Sequence, residues 1–186
     1  MENLENAPTP ARLAIKWGAI SGLILVIYGL AMQISGLIAN LSLAPLYYLV
    51  MLLALGFSMF KAMDVYKATH GGFISYGQGL GLNTLISAIA AIISTAVSLI
   101  YTTFIDNSSM KRMMEAQKEK MIEQWEKQGM SERQIDDAMA MTEKMTAFMQ
   151  NPGMMFVSGV ISITIFGFIV ALIVSAIKKK NKPVFE

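Results

Sequence analysis

Four stretches of the chain are apolar on every side: residues 17–38, 43–60, 77–105 and 154–177. None contains Asp, Glu, Lys, Arg or His. A helix in a water-soluble bundle keeps a polar face, and these have none. Each is close to or above the roughly 20 residues that a helix needs to cross a bilayer core about 30 Å thick. The pattern predicts four transmembrane helices. Between the third and the fourth, in residues 106–153, apolar and charged positions alternate at spacings of three, four and seven, the period of an amphipathic helix. Two such helices are predicted, over 109–128 and 132–150. Gly129 ends the first, as glycine does just past a helix end. Ser131 caps the second, with Gln134 three residues on as its capping-box partner and Met130 and Ile135 as a hydrophobic staple. Asn151-Pro152-Gly153 stops that helix before the fourth span.

The fold class read from this pattern is all-α: an integral membrane protein with four transmembrane helices and an extracytoplasmic helical hairpin between the third and fourth. The expected divisions are a cytoplasmic N-terminal segment (1–16), spans one to three (17–105), the hairpin (106–153), span four (154–177) and a basic cytoplasmic tail (178–186). Orientation follows from Lys and Arg, which favour the cytoplasmic side. Arg12, Lys16, Lys61, Lys67, Lys178, Lys179, Lys180 and Lys182 all fall on one side of a four-span chain. That side is expected to be the cytoplasm, with both termini in it. The hairpin carries seven basic and nine acidic residues, net −2, which weakens the rule but leaves the terminal lysine cluster decisive. The N-terminus is polar and acidic, and the first apolar run is too long for a cleaved signal, so it is expected to stay as an anchor. Trp17, Tyr47, Tyr48, Tyr76 and Tyr101 fall near the expected interfaces, where amphipathic rings rest.

Composition agrees with lipid as the solvent. Hydrophobic residues make up 54% and charged ones only 15%, against about 25% charged in soluble domains. Mean hydropathy is +0.50. With no Cys and one His there is no disulfide framework, thiolate site or multi-histidine metal site to build in one chain. His70 reads as a loop residue with Asp64 nearby, not as a catalytic base. Gly77-x-Gly79-x-Gly81 follows no strand, so it fails the context that a phosphate loop requires. An enzyme is not expected, nor a cofactor, nor nucleic acid.

In lipid, helices associate through small residues and neutral polar groups. Candidate seams are Gly18, Gly22 and Gly29 in span one, with Gly36 continuing the spacing; Gly77 and Gly81 in span three; and Gly159 and Gly167 in span four. Gln33, Asn83, Ser87, Ser94 and Ser98 are polar groups at membrane depth. They read first as interhelical glue. An oligomeric channel or carrier lined by span three is the alternative, since hydroxyls and amides can line a pore.

The hairpin carries apolar stripes: Met110, Met113, Met114, Met121 and Trp125 on the first helix; Ile135, Ala138, Met139, Met145 and Met149 on the second, with Phe148 beside them. Met114, Met121, Trp125, Met139, Met145, Phe148 and Met149 are the candidate interaction residues. Partners expected are membrane lipid, a second copy, or another membrane or envelope protein. Nine of the 16 methionines lie in this segment. Thioethers are soft ligands for Cu(I), which gives copper handling as a further alternative, though methionine at helical spacing is more often packing.

Several stretches resemble a known family. They are Ile74-Ser75-Tyr76-Gly77-Gln78 entering span three, Phe104-Ile105-Asp106 leaving it, Gln128-Gly129-Met130-Ser131 with Gln134-Ile135 at the hairpin turn, and Phe166-Gly167-Phe168-Ile169 with Lys178-Lys179-Lys180 in and after span four. Together they resemble the bacterial membrane family known as domain of unknown function 4199, found mainly in Bacteroidota. The resemblance runs from about residue 12 to near the end. It implies a four-helix integral membrane protein and carries no activity or catalytic residue.

Overall fold

The computed structural model describes residues 8–149 and 151–182. Six α-helices follow one another: α1 Pro10–Ile34, α2 Ala44–Thr69, α3 Tyr76–Ile100, α4 Ser108–Lys127, α5 Glu132–Met149 and α6 Pro152–Lys178. No strand occurs among the described residues. Four of the helices, α1, α2, α3 and α6, are long and apolar enough to cross a membrane.

The helix ends differ from the apolar stretches for local reasons. α1 starts at Pro10, ahead of the apolar run. Thr9 caps it by accepting the Arg12 N–H at 3.3 Å, and Pro10 sits in the first turn, where its missing N–H costs nothing. It stops short of residue 38 because Gly36 adopts φ +72°, a left-handed conformation that ends a helix. α2 continues past its apolar run through Lys61, Asp64 and Lys67 to Thr69. α3 opens with a complete capping box. The Gln78 N–H donates to Ser75 Oγ at 3.3 Å, and the Ser75 N–H donates to Gln78 Oε1 at 3.0 Å. At its far end the chain widens into a π turn over Tyr101–Ile105, closed by the Asp106 N–H on the Tyr101 carbonyl at 2.9 Å.

α3 is the central helix, with α1 and α6 packed along it and α2 against α1 and α6. Glycines set the two main seams. A Cβ on Gly18 would lie 2.8 Å from Ile89 Cβ, and one on Gly22 would lie 3.3 Å from Ala90 Cα, so α1 and α3 touch almost backbone to backbone. On α6, Gly159 faces Thr95 and Gly167 faces the Ser87 side chain, both on α3. At Gly29, Gly77 and Gly81 nothing lies within 4 Å of a Cβ position. They make no contact seam inside one chain. Gly36 lies beyond the end of α1 and belongs to a turn.

The interior is mostly apolar, with Leu55, Met59, Met63 and Ile86 fully buried, but it also takes in small polar side chains. Ser21, Gln33, Ser58, Asn83, Ser87, Ser94 and Ser175 are buried. Outward positions carry branched apolar chains such as Ile27 (69% exposed), Leu53 and Ile173 (58% exposed). Asn83 Nδ2 donates to Ser175 Oγ at 3.0 Å and lies 3.2 Å from Met63 Sδ, so one amide ties α3 to α6 and α2. Ser87 and Ser94 donate to carbonyls one turn back, Asn83 and Ala90, at 3.0 and 2.8 Å.

The lysine-rich end is also tied together. Lys178 Nζ lies 2.6 Å from Asp64 Oδ1, and Lys67 Nζ lies 3.5 Å from the same oxygen. Ile74 and Lys180 pair as an antiparallel bridge, with N–H to carbonyl distances of 3.0 and 2.9 Å. The start of the basic tail is therefore docked on the loop between α2 and α3. His70 stacks on the Tyr66 ring at 3.9 Å and 5°, with its Nδ1 3.0 Å from the Tyr66 carbonyl, and is half-buried rather than free in a loop.

Candidate functional site

Two features stand out once the bundle is assembled: the outer side of α5, and a cleft at the end of the bundle opposite Lys178–Lys180.

The α4–α5 pair is shaped by short-range bonds. Asp106 accepts the Ser108 N–H at 2.9 Å and meets Arg112 at 3.6 Å, which sets the start of α4. At the other end Gly129 has φ +78°, and the Met130 N–H reaches back to the Trp125 carbonyl at 3.1 Å. This is the six-to-one bond of a left-handed helix terminus. Gln134 Oε1 then accepts from both the Ser131 N–H (2.9 Å) and the Ser131 hydroxyl (3.1 Å). Lys118 on α4 pairs with Glu143 on α5 at 2.9 Å, so the two helices run side by side. Lys127 bonds Glu123 one turn back at 2.7 Å. That bond, and the ammonium charge behind it, hold the Glu123 carboxyl below its ordinary value.

The expected interaction residues do not form one surface. Ile135 and Met139 are buried, and Met114, Met121 and Trp125 are half-buried. Met141, Met145 and Phe148 point away, at 72%, 63% and 65% exposure. At 3.6 residues per turn this second group lies about 130° round the helix from the first. The apolar arc of α5 is thus too wide for one neighbour to cover, and Met139 turns inward while Met145 and Phe148 turn outward. The Met149 side chain lies outside the described residues.

The cleft has a volume of about 440 Å³. Its walls come from the last turns of α1, the start of α2, the last turns of α3 and part of α6, and α4 lies across it with Met110, Met113 and Gln117. Most of the lining is apolar, including Leu25, Leu30, Val97 and Ile163. A polar group sits on one wall, where the buried Gln33 donates from Nε2 to Ser98 Oγ at 3.2 Å. Tyr47 and Tyr48 stand at the α2 side, with ring centroids 6.0 Å apart. Among the described residues, no Asp, Glu, Lys, Arg or His lines it. The space exists partly because Gly29 carries no side chain into it. Sequence reasoning missed the cleft. Gln33 and Ser98 are visible there as polar residues at depth, but their meeting depends on how α1 leans on α3.

A family model described as "Protein of unknown function (DUF4199)" matches residues 16–180. The chain belongs to that family. No curated protein and no solved structure matches it. DUF4199 thus supplies a lineage and no chemistry, and any role has to be argued from this chain's own residues.

In this DUF4199 chain the methionines of the α4–α5 segment occupy different surroundings. Met110 and Met113 face the cleft, Met139 is buried, and Met141 and Met145 point outward. Among the described residues no three His, Cys, Asp or Glu gather as metal ligands.

Proposed function

We propose that this is a non-enzymatic, multi-pass integral protein of the bacterial cytoplasmic membrane, with both termini cytoplasmic and the α4–α5 pair outside. The outward surface supports the membrane reading: Ile, Leu and Phe face out along the long helices while serines and amides are buried between them, which suits lipid and opposes water. The positions of Lys and Arg support the orientation.

Within that frame the α4–α5 pair is a protein-interaction module, and α5 is its contact face. The observation that carries this is the outward cluster Met141, Met145 and Phe148 on a helix whose other side is already packed. Exposed aromatic and methionine side chains of this kind suit an adaptable contact with another membrane or envelope protein. A photoreactive residue replacing Met145 in native membranes tests it. A discrete protein adduct, lost when Met141 and Phe148 are both changed to Ser, is expected. Adducts to lipid alone would refute it.

The channel and copper readings draw less support. Asn83, a polar group of α3 that a pore would need, is fully buried and engaged with Ser175 within one chain. The methionines, as placed, face several directions instead of one centre.

A further inference from the structure

The cleft between α1, α2, α3 and α4 has no role in the interaction reading, yet it has the features of a small-molecule site. Ligand pockets are commonly about 300–1,000 Å³, mostly apolar, with a few convergent polar groups. This one is about 440 Å³ and apolar apart from a small neutral polar set.

The chemistry of the lining selects the ligand. A charged headgroup taken from water into an apolar cleft needs a counter-charge, and among the described residues no ionisable Asp, Glu, Lys, Arg or His lines it. Gln33, Ser98 and Tyr47 offer an amide and hydroxyls, which suit uncharged oxygens such as hydroxyls and ester or ketone carbonyls. The remaining wall suits a hydrocarbon body. The position fits too. The polar wall lies near the ends of α1 and α3, where a membrane helix approaches the headgroup level, and the apolar part runs inward along α1 and α6, at Leu25, Val26 and Ile163, with Ser94 and Thr95 of α3 beside it. α4 lays Met110 and Met113 across the cleft, and methionine adapts readily to irregular apolar shapes.

We infer that the cleft binds an uncharged amphiphile: a lipid-like molecule with hydroxyl or carbonyl oxygens at Gln33 and Ser98 and its hydrocarbon body along α1 and α6. Phospholipids, whose headgroups carry phosphate, are excluded from it. The inference rests on the membrane placement and is independent of the partner proposed for α5.

Gly29 provides the decisive variant. It lines the cleft, and a Cβ there meets nothing within 4 Å, so the side chain of Gly29→Leu starts in open space and takes up part of the cleft. The experiment uses the full chain in nanodiscs with a photoactivatable monoacylglycerol. Adducts are mapped by peptide mass spectrometry, and unlabelled monoacylglycerol or phosphatidylglycerol is the competitor. Saturable labelling of residues in the cleft is expected, at least tenfold lower in Gly29→Leu and displaced by monoacylglycerol but not by phosphatidylglycerol. Gln33→Leu is the second variant. It keeps the fold apolar and is expected to weaken labelling several-fold. Unsaturable labelling, labelling unchanged by both variants, or equal displacement by phosphatidylglycerol would each overturn the inference. A chain found in the aqueous fraction without detergent would instead sink the membrane reading on which it stands.

Discussion

The α1–α3 seam offers a sharp test of how this bundle is held together. Gly18 on α1 lies against α3 so closely that a Cβ would stand 2.8 Å from Ile89 Cβ, 2.9 Å from Ile89 Cγ2 and 3.0 Å from the Ile86 carbonyl oxygen. Carbon atoms pack best at about 3.5–4.0 Å. Gly18→Ala therefore needs α1 and α3 to part by about 0.7 Å or more at this crossing. Ile89 cannot simply swing away, because a β-branched side chain on a helix has one strongly preferred χ1, and the carbonyl belongs to the backbone. Forced overpacking of this kind costs about 1–3 kcal/mol. Alanine also returns about 0.5–1 kcal/mol as a better helix former than glycine, so the net loss is about 0–2.5 kcal/mol, with a midpoint just above 1. Gly81→Ala on α3 is the control, because nothing lies within 4 Å of its Cβ position. There only the propensity gain remains, about 0.5–1 kcal/mol of stabilisation. Unfolding of the detergent-solubilised chain by added SDS, followed by circular dichroism, reads both. Opposite signs are expected. If the two variants shift the midpoint equally, or Gly18→Ala stabilises, the close seam is not what orders these helices.

Other outcomes follow from single contacts. Asn83→Ala removes the amide that bridges Ser175 and Met63. It should cost about 0.6 kcal/mol and no more than about 1.7, with Ser175→Ala adding little more in the double variant. Gly129→Ala forces a Cβ into a φ of +78° and should cost about 1 kcal/mol, seen as faster proteolysis between α4 and α5. Glu123, held low by Lys127, stabilises α4 above the ordinary carboxylate range, and that contribution disappears as pH falls through its lowered value. Carbon-13 titration of the labelled chain should show Glu123 returning to its ordinary value in Lys127→Met.

Much of the architecture is legible in the sequence because lipid imposes a simple rule: an uninterrupted apolar run about 20 residues long with no charge. That rule locates four helices, and Gly129, Ser131 and Pro152 locate the breaks around α5. What it leaves out is where a helix continues beyond its apolar part. α2 runs on through Lys61, Asp64 and Lys67 because helical geometry does not stop at the edge of a hydrophobic stretch. The seam residues divide for a related reason. Glycine spacing marks a smooth face, but only the lean of α1 on α3 decides that Gly18 and Gly22 are covered while Gly29 opens onto a cleft. On α5 the sequence shows an apolar arc and not its division, since that depends on how much of the arc α4 covers. The cleft, built from five helices, leaves almost no trace in any one of them.

The account rests on the chain crossing a bilayer four times with α4–α5 on the outer side. Its lack of cysteine makes this directly measurable. Lys120→Cys and Lys179→Cys each create a single thiol in the full chain, and a membrane-impermeant maleimide is applied to intact spheroplasts and then to permeabilised ones. Position 120 should label in intact spheroplasts and position 179 only after permeabilisation, with the chain staying in the membrane through an alkaline carbonate wash. Labelling at position 179 alone before permeabilisation, or release of the chain by the wash, would contradict the account.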